Sequence, residues 1–158
     1  MLQAATPAPL SQAYLRHVVR GLAADAERWL SLVRYAEERR WYQRLVWDDD
    51  HEVWLLSWLP GQGTGFHDHG GSAGAFAVAR GALRELTALG GRPNPVGVTM
   101  PQGQVRSFGS WYVHDVINAS AHPAVSVHAY SPPLELMRRF ELSPAGLRQT
   151  TTETAGRW

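Results

Sequence analysis

Trp41-Tyr42-Gln43-Arg44-Leu45-Val46-Trp47, then Asp48-Asp49-Asp50, then His51-Glu52-Val53-Trp54-Leu55-Leu56-Ser57-Trp58-Leu59 is the stretch that decides the fold class. Two runs rich in aromatic and branched apolar residues flank three aspartates, and the pattern has a period of two. It reads as a β-hairpin. Downstream, Pro60-Gly61-Gln62-Gly63-Thr64-Gly65 is a turn. Short strand candidates then recur at residues 75–79, 83–86, 96–100, 105–108, 113–117, 125–130 and 136–142, most of them separated by Gly, Pro or Asn. Many short strands with no helix between them predict an all-β sandwich or small barrel. Upstream the period changes. Tyr14, Val18 and Leu22 recur at helical spacing behind Ser11 as N-cap, and Gly21 marks a helix end. A second helical run from Asp25 carries Trp29, Leu30, Val33, Tyr35 and Ala36. The expected organisation is one domain: a helical segment over 1–40, a barrel over 41–145 and a frayed polar tail over 146–158.

The chain has 158 residues, 44% of them hydrophobic and 18% charged, which suits an ordinary globular domain. Cysteine is absent, so disulfides, thiolate metal sites and a cysteine nucleophile are excluded. The 15 basic residues, all Arg, nearly balance 14 acidic ones, and no nucleic-acid footprint results. With no lysine there is no Schiff-base or phosphate-loop lysine. No apolar run approaches the ~20 residues of a membrane helix, and Met1 to Ala5 carry no charged leader. The expectation is a cytoplasmic protein with no membrane or nucleic-acid partner, and a monomer.

Chemistry is left to the seven histidines. His67 and His69 are two apart, so on a strand they share a face and can reach one metal together. His114 and His128 lie downstream. Strand alternation turns Asp68 and Asp115 away from such a metal, although either can accept an imidazole N–H. His17, His51 and His122 have nothing converging on them. Trp54 and Trp58 read as core, and Asn118 as a strand-end hydrogen-bonder.

Gly61, His67-x-His69, Gly74 and Gly81 together resemble the first cupin motif, with Gly74 where that motif carries a glutamate ligand. His114-x-x-x-Asn118 behind Gly103 resembles the second, with Gly109 and Trp111 where proline and glycine are usual. Ser126-x-His128-x-Tyr130-Ser131-Pro132-Pro133 is similar to the signature of the cysteine dioxygenase (thiol dioxygenase) family. The resemblance covers roughly residues 41 to 142. It implies a double-stranded β-helix barrel with N-terminal helices, and one Fe(II) per chain held by His67, His69 and His114. It also implies an outer relay of Ser126, His128 and Tyr130. The activity implied is addition of both atoms of O2 to a small thiol, L-cysteine giving the sulfinic acid. A substrate thiolate would supply the negative charge that three neutral histidines leave missing. Mammalian relatives carry a cysteine tethered to the tyrosine where this chain has Gly74, so the resemblance is to the bacterial type without that crosslink.

Tyr42-Gln43-Arg44 resembles the family's Tyr-x-Arg, whose arginine grips the substrate carboxylate. Strand alternation puts Arg44 on the face of Tyr42. An ungapped count back from Leu45-Val46 puts Gln43 at that place instead, as in relatives that prefer 3-mercaptopropionate. The alternatives are therefore that thiol, another small thiol, or a metal-binding cupin that turns nothing over. The Ser126-His128-Tyr130 set favours the enzyme, because a passive binder does not need it.

Overall fold

The computed structural model describes residues 8–88 and 94–154. Residues 1–7, where the absence of a charged leader was read, and 155–158, the end of the expected tail, lie outside them. Helix α1 (Gln12–Ala24) is followed by ten strands: β1 (Trp41–Trp47), β2 (Glu52–Trp58), β3 (Ala73–Arg80), β4 (Ala82–Thr87), β5 (Val96–Pro101), β6 (Val105–Phe108), β7 (His114–Ile117), β8 (Ala124–Ser131), β9 (Leu136–Ser143) and β10 (Gly146–Thr154). They form an antiparallel sheet ordered β1-β2-β8-β3-β6, a second ordered β5-β4-β7, and the pair β10-β9. Every strand expected from the sequence is present to within a few residues.

Alternation along β2, β3 and β8 sorts their residues into two cores. Val53, Leu55, Ala73, Ala75, Ala77, Ala79, Val125, Val127 and Ala129 pack outward with Leu15, Val19 and Trp29 of the helical segment. Alanines on β3 let α1 lie close to the sheet, and cutting the fully buried Leu15 to Ala would cost about 2–5 kcal/mol. The opposite residues, Trp54, Leu56, Trp58, Phe76, Val78, Ala124 and Tyr130, face the barrel interior. This alternation also turns Ser126 and His128 inward.

Three expectations need correction. First, Ser11 caps α1 by accepting from Tyr14 N at 3.2 Å, but the helix runs through Gly21 to Ala24. Second, the run from Asp25 is no helix beyond the single 3-10 turn Ala26–Arg28. Its carbonyls are taken by the barrel: Ser57 Oγ donates to Arg34 O, and Gln62 Nε2 donates to Ala36 O at 2.8 Å. Third, residues 146–154 are β10, not a frayed tail. Gly146, at φ 108°, closes a tight hairpin in which Ser143 and Gly146 are partners. The strand is mostly solvent-exposed, so polar threonines suit it.

Candidate metal centre and its cavity

His67-x-His69 follows the glycine-rich turn as an extended segment outside the named strands, wedged between β7 and β9. His67 bridges to both His114 and Arg139. His67 N donates to His114 O at 2.9 Å, His114 N donates back at 3.0 Å, and Asp68 N donates to Arg138 O at 3.0 Å. These bonds bring the three expected ligands together. His67, His69 and His114 are all buried, and one ring nitrogen from each lies within 4.8 Å of the others.

Hydrogen-bond bookkeeping fixes which nitrogens converge. His67 Nδ1 lies 2.8 Å from Gly65 O, which can only accept. His114 Nδ1 lies 3.0 Å from the Glu85 carboxylate, which is ionised and also only accepts. Both Nδ1 atoms therefore carry a proton, and Nε2 is the atom each ring leaves for a metal. His67 Nε2 sits 3.1 Å from His69 Nε2. His69 Nδ1 is buried with no hydrogen-bond partner among the described residues. Burial, and then the neighbouring histidines, hold His67 and His69 well below the ordinary imidazole range. Imidazoles whose ring nitrogens converge in this way form a donor set for a divalent transition metal, and three of them leave positions open. The residues fit the metal that the sequence implies.

Glu85 on β4 was not found by sequence reasoning. It is 2% exposed, and burial alone would raise its pKa. The hydrogen bond from His114 Nδ1 and the Arg106 guanidinium outweigh burial and hold it below the ordinary carboxylate range. The flanking aspartates serve elsewhere. Asp68 accepts from Arg138 Nε at 2.8 Å and Gly70 N at 3.0 Å, and Asp115 accepts from Thr64 Oγ1 at 3.2 Å.

Beside the histidines on β8, Ser126 Oγ lies 2.8 Å from His128 Nε2, and Tyr130 Oη lies 3.3 Å from His128 Nδ1. Trp58 Nε1 donates to Ser126 Oγ at 2.8 Å, so this core residue also has a polar task. With the Ser126 proton directed at His128 Nε2, the His128 proton lies on Nδ1, facing the Tyr130 oxygen, and the Tyr130 O–H is left for the cavity. Burial, then His114 and Arg40, keep His128 neutral, and burial raises Tyr130 so that it stays protonated.

A cavity of about 70 Å³ brings His67, His114, His128, Tyr130 and Tyr42 to one space. Two arginines line it, and neither is Arg44. Arg40 lies over Trp58 at 4.8 Å and makes no ion pair or hydrogen bond among the described residues. Burial lowers its pKa. Arg139 is locked: it donates to Glu153 Oε2 at 3.1 and 2.9 Å, and to Thr64 O at 2.9 Å. Arg44 lies in a neighbouring outer cavity of about 610 Å³, 3.6 Å from Glu52 and over Trp47 and Trp54. Gln43 lines neither cavity.

The physical reason is depth. Tyr42 pairs with Leu56 and Arg44 with Trp54, so they share a face as expected. The same face two residues earlier is Arg40, against Trp58. Each such step is about 6.6 Å, so Arg40 and Arg44 are about 13 Å apart along the strand. Alternation fixes the face of a residue but not its depth. Trp54, expected in the core, lines both cavities. Asn118 donates to Trp58 O and His122 O as a strand-end satisfier. At Gly74 a Cβ would lie 2.5 Å from Phe108 Cε2 and 3.0 Å from Tyr130 Cδ1, so the ring of Phe108 occupies the space a side chain there would need.

Comparison with solved structures supports the barrel. An uncharacterised conserved protein with a double-stranded β-helix domain from Klebsiella pneumoniae matches with a TM-score of 0.57 at 17% identity, covering 77% of this chain and 92% of that one. A Thermus thermophilus protein matches at 0.55 and 24% identity, covering 66% and 93%. At these identities the likeness establishes the fold alone: a mostly β cupin barrel with an N-terminal helix. Cysteine dioxygenase type 1 of Danio rerio is 26% identical over 139 residues, 80% of this chain and 68% of the relative. The Homo sapiens protein is 25% identical over 135 residues, 78% and 66%. The family model for cysteine dioxygenase type I matches residues 2–143, and the chain belongs to that family.

Proposed function

We propose that this protein is an iron(II)-dependent dioxygenase of a small thiol bearing a carboxylate, with L-cysteine as its substrate. The observation that carries this reading is a buried cluster of three convergent imidazoles, two of which, His67 and His114, line one cavity with the Tyr130 hydroxyl and with the Arg40 guanidinium, which makes no ion pair or hydrogen bond among the described residues. The overall change is R–SH + O2 → R–SO2⁻ + H⁺. Sulfur is oxidised by the O2 that it takes up, both oxygen atoms stay on sulfur, and no other reductant is consumed.

His67, His69 and His114 would hold the iron through Nε2, and the iron when bound supplies the redox chemistry that brings O2 to sulfur. The protein does the rest. Arg40, stacked on Trp58 and with no ion pair or hydrogen bond among the described residues, takes the substrate carboxylate as a charge-assisted pair. This assigns the clamp to Arg40 and not to Arg44. Arg139, held by Glu153 and Thr64, adds positive potential without moving. Tyr130, aligned by His128, Ser126 and Trp58, donates its O–H toward the reacting atoms and keeps the proton on Oη. The apolar walls Leu56, Val116 and Met137 limit water in a space suited to a small substrate.

The test is oxygen uptake by anaerobically iron-loaded protein with L-cysteine, 3-mercaptopropionate and cysteamine offered separately. Uptake is expected with cysteine and not with cysteamine, which lacks the carboxylate. Faster turnover of 3-mercaptopropionate would reassign the substrate within the same chemistry. Uptake with none of them would leave a metal-binding cupin without this activity.

A further inference from the structure

The three-histidine donor set carries no negative charge, yet a buried carboxylate stands directly behind one of its members. Glu85 Oε1 accepts from His114 Nδ1 at 3.0 Å and from Tyr112 Oη at 3.1 Å, and Oε2 accepts from Arg106 Nε at 2.6 Å. The carboxylate is 2% exposed and Arg106 is 38% exposed, so the cation is bathed by solvent while the anion is not. The pairing follows from topology. β4 and β7 are neighbours with Glu85 opposite Val116 and Thr87 opposite His114, so Glu85 reaches His114 diagonally on one sheet face. Phe108 and Tyr112 pack on the His114 ring, at 5.1 and 5.3 Å, and hold its plane.

We propose that Glu85 is the positioning residue of the metal centre: it fixes His114 with Nε2 turned to the other two imidazoles, and it returns, one hydrogen bond behind the ligand, the negative charge that the donor set lacks. The inference rests on His67, His69 and His114 being metal ligands. Two consequences can be separated. Holding the tautomer needs only an acceptor, which Gln can supply through Oε1. Supplying charge needs the carboxylate. A partner of this kind changes metal affinity by about 10–100-fold.

The experiment uses full-length protein without thiol. Co(II) affinity is measured by calorimetry, and the ferric/ferrous midpoint potential by mediated titration, for wild type, Glu85→Gln and Glu85→Leu. Glu85→Leu is expected to weaken Co(II) binding about 10–100-fold. Glu85→Gln is expected to retain most of the affinity and to raise the midpoint potential, because the ferric state loses an anion behind its ligand. Should Glu85→Leu fail to fold, Glu85→Gln still decides on the potential. A Glu85→Gln protein with a lower Tm but the wild-type potential would overturn the inference and leave Glu85 as a tie between β4 and Arg106. Wild type that takes up no divalent metal would overturn the metal centre together with it, whereas metal uptake without thiol oxidation would overturn the proposed function alone.

Discussion

Replacing Arg40 by Met removes one charge from the cavity while keeping an unbranched stem to pack on Trp58. In the free protein this guanidinium has no ion pair or hydrogen bond among the described residues. Its loss therefore leaves no buried anion stranded, and Tm should stay level or rise. With substrate bound, the account gives Arg40 the carboxylate. A hydrogen bond between charged groups is worth about 1.5–3 kcal/mol, and each 1.4 kcal/mol is about tenfold, so KM for L-cysteine should rise about 10- to 150-fold. Arg44→Met is the control. Arg44 is 44% exposed and 3.6 Å from the buried Glu52, outside the histidine cavity, so its removal takes no charge from the space that holds the substrate. Its KM should change less than about fivefold. Initial-rate oxygen uptake across a range of cysteine concentrations, with thermal melts of each variant, reads both quantities. A large KM effect in Arg44→Met with none in Arg40→Met would refute the depth assignment along β1.

Three other outcomes are expected. His69→Ala and His114→Ala should each lose stoichiometric iron by metal analysis of the reconstituted protein, and full retention by either would remove it from the ligand set. Gly74→Ala should be overpacked against Phe108, costing about 1–3 kcal/mol and lowering Tm by about 2–12 °C; Phe108→Leu in the same chain should restore part of the loss, and an unchanged Tm would show that the ring moves freely. The metal-free protein should lose stability as pH falls below 6.5, because burial first, and neighbouring charges next, hold His67, His69 and His128 well below that ordinary value. There the unfolded chain takes up protons that the folded chain refuses, so stability falls by about 1.4 kcal/mol for each histidine between about pH 7.5 and about 5.5, or about 4 for the three. Urea melts from about pH 7.5 to about 5.5 would show the slope, and a flat profile would contradict it.

Strand content, the pairing of His67 with His69 and the shared face of Ser126, His128 and Tyr130 were legible because each is written within a few residues, whereas His114 joined them only through the family resemblance. A period of two places i and i+2 on one face, and this held for Ser126, His128 and Tyr130. What was not legible depends on neighbours remote in sequence. Glu85 reaches His114 only because β4 and β7 pair. Trp58 donates to Ser126 across β2 and β8, although its indole reads as core. Arg40 shares a face with Tyr42 and Arg44, and only the pairing with β2 shows which rung meets the histidines. β10 escaped because an exposed strand needs no apolar alternation. It holds Arg139 through Glu153, so the missed strand also supports the cavity. The second helix failed for a related reason: its carbonyls find partners on the barrel.

In the proposed reaction both atoms of O2 end on sulfur, at this chain's own three-histidine centre. Mass spectrometry of the product formed by iron-loaded protein from L-cysteine under isotopically labelled O2 tests it directly. The expected product is cysteine sulfinate carrying two labelled oxygens, with one O2 consumed per thiol. Cystine, unlabelled sulfinate or product with a single labelled oxygen would contradict it.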